Sequence, residues 1–317
     1  EIKESNDRIN KVGDIFEHGQ AISPIIKKVE NRIRGFVQIQ NGCDHRCTFC
    51  IIPYGRGDSR SVEPENVVNQ INTLLDQGYK EIVLTGVDLT SYGHDLENKP
   101  NLATLVSHIL FSIPNLKRLR LSSLDVAEID KNLMDLIKYE KRILPHIHLS
   151  LQAGDNMILK RMKRRHLRDD AISVINEIRS VRSEVVFGAD IIAGFPTEND
   201  EMFQNTVDLI EDCNITFLHI FPFSPREGTP AARMPQVDRY TIKKRAKILR
   251  EIGKKKLLEY YDELKNKKIN VIVEDKGRGR SDTFAKVEVD NNLNNGQIVK
   301  MIVTGRNQVG LTGNIVV

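Results

Sequence analysis

The chain has no tryptophan, and aromatic residues make up only 6% of its 317 positions. Broad stacking on unpaired bases needs aromatic platforms, so that binding mode is a poor fit. Cysteine is scarce as well: there are four, and three of them fall within residues 43–50. A disulfide framework needs dispersed pairs, so this distribution argues against one and fits a reducing compartment. No apolar run is long enough to cross a bilayer, and no secretory signal pattern opens the chain. A cytoplasmic location with no membrane partner is therefore expected. Neither sign of charge prevails, with Lys+Arg 47 against Asp+Glu 43 and a net +4. The basic residues bunch locally, so patches rather than net charge would meet a polyanion. The chain opens on Glu1 rather than Met, and it reads as part of a longer protein.

What stands out is Cys43-Asp-His-Arg-Cys-Thr-Phe-Cys50. Cys43, Cys47 and Cys50 follow the spacing C-x3-C-x2-C. Thiolates are soft ligands that suit iron–sulfur clusters and zinc. Three of them on so short a loop can hold three corners of a cuboidal cluster and leave the fourth iron open. The plainer alternative is a structural zinc knuckle, which needs a fourth ligand nearby. His45 lies inside the loop, where its neighbours leave it little freedom to close a tetrahedron. Cys213 sits far along the chain in an apolar helical context and reads as a small buried hydrophobe. The spacing favours the open-cornered cluster.

Around this loop the pattern is α/β. Six short apolar strands are expected at 36–40, 81–85, 118–122, 147–151, 185–192 and 217–221. Helices are expected between them at 64–77, 102–113, 131–139, 167–181 and 200–213, on apolar spacings such as Val67, Val68, Ile71 and Leu74. Such alternation predicts parallel βα units with right-handed crossovers. Six units make a partial (βα)6 barrel, open where an eightfold one would close. The polar and glycine-bearing segments follow strand ends, where barrel enzymes keep their active sites. A long basic helix is expected over 239–265, and short strands separated by Gly and Asn turns follow from Ile269. The expected organisation is a linker at 1–34, the partial barrel at 35–238, a basic connecting helix at 239–268 and a small all-β domain at 269–317.

Several further residues are candidates, each with an ordinary reading beside it. Gly86 permits close backbone approach and Asp88 could accept from an ammonium, or cap a helix. Ser122 and Ser123 end a strand and could meet a cofactor or merely cap a turn. His146 and His148 face one side of a strand; satisfied polar contacts suit them better than a metal. Lys160–Arg168 is the densest basic run, with Arg161 and Arg164 at helical spacing for phosphate contact, unless it is only a solvated surface. The long helix and Lys276, Arg278 and Arg280 make a second basic track, again against a reading of plain solubility.

The cysteine spacing with Phe49 before the last thiol resembles the radical S-adenosylmethionine (SAM) superfamily. The longer string from Asn41 to Gly57, followed by Ser59-Arg60-Ser61, resembles its methylthiotransferases, which modify tRNA or a ribosomal protein. That resemblance runs from Gly35 to the C-terminus. It implies a [4Fe-4S] cluster on Cys43, Cys47 and Cys50 that binds SAM at the open iron and splits it to a 5′-deoxyadenosyl radical. It implies SAM contacts from Gly86, Asp88, Ser122, Gln152, Ile192 and Gly194. Gln152 stands in Leu149-Ser-Leu-Gln-Ala-Gly154, which is similar to the family's Leu-Gln-x-Gly motif. The stretch Phe221–Met234 implies that Arg226 lies near substrate, and the terminal β unit resembles the RNA-binding TRAM barrel. RNA contacts are expected from Arg161, Arg164, Arg226, Lys276 and Arg278. Gly86–Gly93 and Leu121–Leu124 look most like the branch that adds a methylthio group to carbon 2 of threonylcarbamoyladenosine beside the tRNA anticodon. Isopentenyladenosine is the alternative substrate, and a non-catalytic RNA-binding iron–sulfur fragment is the alternative of another class. The family also carries an N-terminal domain with three cysteines and a second [4Fe-4S] cluster, which this sequence does not contain. An electron donor is implied, as is a monomer. No residue is singled out as a catalytic acid or base.

Overall fold

The structure is a computed structural model and describes residues 32–316. The linker expected at 1–34 lies almost wholly outside the described residues. Eight strands precede the long helix: β1 (Arg34–Gln38), β2 (Gln40–Asn41), β3 (Arg60–Ser61), β4 (Glu81–Thr85), β5 (Leu119–Leu121), β6 (His146–Gln152), β7 (Val186–Ala193) and β8 (Phe217–Pro222). The helices are α1 (Ile52–Arg56), α2 (Pro64–Asp76), α3 (Leu102–Ser112), α4 (Lys131–Tyr139), α5 (Asn156–Met162), α6 (Arg168–Val181), α7 (Asp200–Asp212) and α8 (Arg239–Glu263). After α8 come β9 (Lys268–Asp275), β10 (Arg278–Ser281), β11 (Lys286–Glu288), β12 (Ile298–Arg306) and β13 (Leu311–Val316).

β1, β4 and β5 pair in parallel, and so do β6, β7 and β8. Parallel bridges Leu119↔Ile143 and Leu124↔Leu149 join the two halves. The result is one curved run of six strands in chain order, with β1 and β8 at its two ends among the described residues. This is the expected partial barrel. The helices that clothe it form for local reasons. Asn101, Asp130 and Asn199 cap α3, α4 and α7 by accepting from the backbone N–H three residues on. On α2 the stripe Val67, Val68, Ile71 and Leu74 is buried, and it packs with Ile82 and Leu84 of β4 in the main core. Each such side chain contributes roughly 1.5–3 kcal/mol by leaving water.

Two short helices were not legible as apolar stripes. α1 has a single buried residue, Pro53, and α5 runs into the basic stretch. α8 does more than connect. It buries Ile242, Ala246 and Leu249, and Gly253 lets the helix sit close to Leu218 of β8.

The last five strands close a small barrel in the order β10-β11-β13-β12-β9, around Val271, Val273, Val287, Val299, Met301 and Leu311. Among the short strands expected from Ile269, β11 is only three residues long, and β10 carries Gly279 between two arginines rather than an apolar alternation. This unit docks on the N-terminal ends of the large barrel's strands. Glu81, the first residue of β4, is fully buried between Arg118 and Arg120, at 2.9 and 2.6 Å. Arg118 also pairs with Asp282, and Arg120 donates to the Asp282 and Ser281 carbonyls at 2.9 and 3.1 Å. Phe284 enters the same junction. Its ring stacks on His146 at 4.8 Å and lies under the guanidiniums of Arg280 and Arg120, at 4.2 and 5.0 Å. Burial drives the His146 pKa well below its ordinary value, so the ring is neutral there. Among the described residues, no helix is long and apolar enough to cross a membrane.

Candidate cluster and cofactor site

The opposite end of the barrel, beyond the C-terminal ends of the strands, holds a cavity of about 340 Å³. Cys43, Cys47 and Cys50 line it together with Gly86, Asp88, Ser122, Gln152 and Arg164. The cysteine loop is fixed from several sides. Gln40, fully buried, donates its amide to the Gly42 carbonyl and Ser59 Oγ, at 2.8 and 2.9 Å. Its Oε1 accepts from the Asp88 N–H at 2.9 Å, which ties the cysteine loop to the loop after β4. Gly42 sits at φ 76°, and a Cβ there would lie 1.9 Å from the Asp58 carbonyl oxygen, so only glycine fits. Thr48 donates its N–H to the Met162 carbonyl at 3.1 Å and its hydroxyl to the Arg161 carbonyl at 2.8 Å.

The donor set fits an open-cornered iron–sulfur cluster. All three loop thiols are free and partly accessible from the cavity. The fourth cysteine, Cys213, is buried at the end of α7, and it does not line the cavity. His45 is turned to carboxylates, with Nε2 2.8 Å from Asp88 and 3.4 Å from Glu128. Those contacts, the Asp88 hydrogen bond first, raise its pKa to about 10. A tetrahedral zinc site would need a fourth protein ligand, and His45 is committed elsewhere. Without a metal, burial and then the Asp88 charge push the Cys43 thiol up to about 12. Iron must displace that proton, so Cys43 is held as a thiolate only when metal compensates it.

The other expected contacts separate into two groups. Gly86, Asp88, Ser122 and Gln152 all line the cavity. Asp88 Oδ2 is occupied by His45, by the Ser91 hydroxyl at 2.7 Å and by Cys43 Sγ at 3.6 Å, while among the described residues Oδ1 meets Thr90 Oγ1, at 3.3 Å. Gln152 has φ 70°, and the β6–β7 register shifts beside it, a bulge of the kind that re-aims a side chain. Ile192 and Gly194 do not line the cavity. Ile192 packs with Ile158, Phe195 and Phe223, and a Cβ on Gly194 would meet Ile242 of α8 at 2.6 Å. Helix packing accounts for that glycine.

The basic run also folds differently from its spacing. α5 ends at Met162 because Lys163 takes a left-handed conformation, φ 61°. Arg161 and Arg164 therefore do not share a helix face. Arg161 donates to Thr197 Oγ1 at 2.8 Å, whereas Arg164 turns into the cavity and pairs with Asp125 at 2.9 Å. Arg164 is thereby withdrawn from the rim, where phosphate contact was expected. Arg226 is exposed, as are Lys276 and Arg278 on the small barrel. His148 is satisfied by Asp190 at 3.0 Å, and His219 meets the same oxygen at 3.2 Å. The sequence reading missed Gln40, Asp125 and Asp190. A lone carboxylate within the apolar strand Val186–Ala193 was the available signal for Asp190.

Three thiols at the mouth of an open six-stranded barrel define a class. The description "Radical SAM superfamily" matches residues 37–210, and the chain belongs to that superfamily. A radical SAM methyltransferase from Kitasatospora setae, TsrM, shares the fold at TM-score 0.51 and 18% identity, over 64% of this chain and 38% of that one. More narrowly, the chain is 48% identical to the threonylcarbamoyladenosine tRNA methylthiotransferase MtaB of Rickettsia prowazekii, over 94% of this chain and 71% of that protein. It is 37% identical to the tRNA-2-methylthio-N(6)-dimethylallyladenosine synthase of Neorickettsia sennetsu, over 84% of this chain and 58% of that protein. The chain is a member of this methylthiotransferase family. Its cofactors are a [4Fe-4S] cluster and SAM, for which the loop thiols and the adjoining cavity are suited.

Proposed function

We propose that the protein adds a methylthio group to carbon 2 of threonylcarbamoyladenosine beside the anticodon of tRNA. The observation that carries this reading is the 48% identity to a relative named for that substrate, spread over 94% of the chain, together with the three-thiol cavity. Lower identity, 37%, disfavours the isopentenyl-type substrate of the second relative. With SAM bound, a cluster on three thiolates supplies one-electron cleavage of a sulfonium bond.

The chain's own residues do the positioning. Cys43, Cys47 and Cys50 hold the metal, and Gln40 keeps their loop in register with Gly86 and Asp88. Gly86, Asp88, Ser122 and Gln152 contact SAM, with Oδ1 of Asp88 the less occupied acceptor. The cavity walls restrict water around the reacting atoms. Arg226 meets the RNA near the cavity mouth. Lys276 and Arg278 meet it elsewhere, because the small barrel docks at the far end of strands that each rise about 3.3 Å per residue. A ligand that reaches both ends has to be large and folded, as tRNA is, and backbone contact suits the low aromatic content. The protein works in the cytoplasm as a monomer, takes electrons from a separate donor, and acts with a second cluster of its family's N-terminal domain.

Mass spectrometry of tRNA nucleosides from cells lacking the gene tests the assignment. Loss of the 2-methylthio form of threonylcarbamoyladenosine, restored by the gene, is expected. Loss of the methylthio form of isopentenyladenosine instead would replace it with the second substrate.

A further inference from the structure

We propose that Arg164 is a positioning residue that sets the reduction potential of the cluster held by the three-cysteine loop; this rests on the family reading above. The side chain is 7% exposed, so a guanidinium has been taken almost completely out of water beside the metal-binding thiols. Its Nη1 lies 3.8 Å from Cys47 Sγ, within reach of an N–H···S hydrogen bond. Nη2 donates to Asp125 Oδ2 at 2.9 Å and to the Ser150 carbonyl at 2.8 Å. These two acceptors hold the plane of the fork and leave Nη1 to the sulfur. The Nε–H is buried with no partner among the described residues, so one donor in this cavity wall is unused. The anionic sulfurs of a cluster are acceptors of the class it lacks.

The placement is built into the backbone. Left-handed Lys163 ends α5, and the Arg164 N–H returns to the Leu159 carbonyl at 2.9 Å. Asp125 is equally fixed, since its Oδ1 accepts from the Ala127 N–H at 3.1 Å. A guanidinium that only balanced Asp125 would not need a thiol against its other edge.

The consequence for redox chemistry follows from charge. One electron from a low-potential one-electron donor takes a [4Fe-4S] cluster from its 2+ to its 1+ state and adds one negative charge. Hydrogen bonds to the cluster's sulfurs and a nearby cation stabilise the more negative state and raise the potential. Asp125 offsets part of the cation's effect, so the expected influence is moderate.

The test uses the whole chain, reconstituted with iron and sulfide under anaerobic conditions. The cluster is titrated potentiometrically with dithionite and followed by electron paramagnetic resonance. In Arg164→Gln the ratio of reduced to oxidised cluster at the wild-type midpoint is expected to fall about tenfold, equivalent to ~59 mV for a one-electron couple. Arg164→Lys, which keeps the charge and loses the fork, is expected to fall between the two. Equal iron loading with an unchanged potential in Arg164→Gln overturns the inference. Where that variant fails to take up iron, Arg164→Lys decides: it loses the fork that reaches Cys47, and a potential unchanged from wild type overturns the inference. A wild-type chain that forms no reducible cluster overturns the family reading instead, and this inference with it.

Discussion

Replacing Glu81 by alanine removes the one carboxylate shared by two buried guanidiniums. Glu81 is fully buried, and the side chains of Arg118 and Arg120 are 5% and 3% exposed. Arg118 keeps a partner in Asp282, but Arg120 is left, among the described residues, with two backbone carbonyls and the Phe284 ring and no carboxylate. Breaking a buried pair by deleting one partner costs about 3–5 kcal/mol, because the orphaned charge stays out of water. Domain stabilities are about 5–15 kcal/mol, so the loss is a large fraction of the whole. At roughly 2–4 °C per kcal/mol for a chain of this order of size, the melting temperature should fall by about 6–20 °C. The same junction holds Ser281, Asp282 and Phe284 of the small barrel, so its docking should loosen as well. The cysteine loop lies at the other end of the strands, so iron uptake at low temperature should persist. Thermal denaturation read by circular dichroism, with iron content measured beside it, gives both numbers. A melting point within about 2 °C of wild type would refute the argument. It would mean that water reaches the two arginines and that the junction contributes little.

Two further outcomes follow from named atoms. Gly42→Ala places a Cβ 1.9 Å from the Asp58 carbonyl oxygen at a φ of 76°, so the cysteine loop must shift. Iron bound per chain after reconstitution should drop severalfold while the far-ultraviolet circular dichroism stays close to wild type; full loading would show that the loop tolerates the shift. His146 is buried and neutral, with its pKa below the unfolded value near 6.5. The unfolded chain therefore binds more protons as pH falls below about 6.5, and stability should decline by up to about 1.4 kcal/mol per pH unit there. His146→Phe keeps a ring against Phe284 and removes the titration, so denaturant midpoints compared at pH 5.5 and 7.5 should lose that contribution. An unchanged pH slope would locate the acid sensitivity elsewhere.

The parts that were legible in advance are those whose physics is contained in a few consecutive residues. The thiol spacing is one. The apolar stripe of α2 and the strand–helix alternation that fixes six parallel units are others. Gly86 and Ser122 could be placed at the cavity because each directly follows or ends a strand, and the strands themselves were recognised. The basic run defeated the same reasoning. Charge density says nothing about where a helix stops, and one left-handed residue, Lys163, sends Arg161 and Arg164 in different directions. Gly194 shows the same limit, because its close packing on α8 is invisible locally. A glycine after a strand looks like room for a ligand, and the partner that needs the room, Ile242, lies almost fifty residues later.

The amino-acid order alone therefore settles the class of chemistry, because ligand type and spacing on one loop specify the metal centre, and hydrophobic period specifies the units that carry it. The three-dimensional arrangement decides what surrounds that centre. It brings Gln40, Asp125 and Arg164 around the thiols, and it sets Phe284 and the Glu81 arginine pair at the opposite end. Those groupings depend on contacts between residues 37 to 164 positions apart. No local pattern encodes them, since they become favourable only after the core has formed and removed water from between the charges.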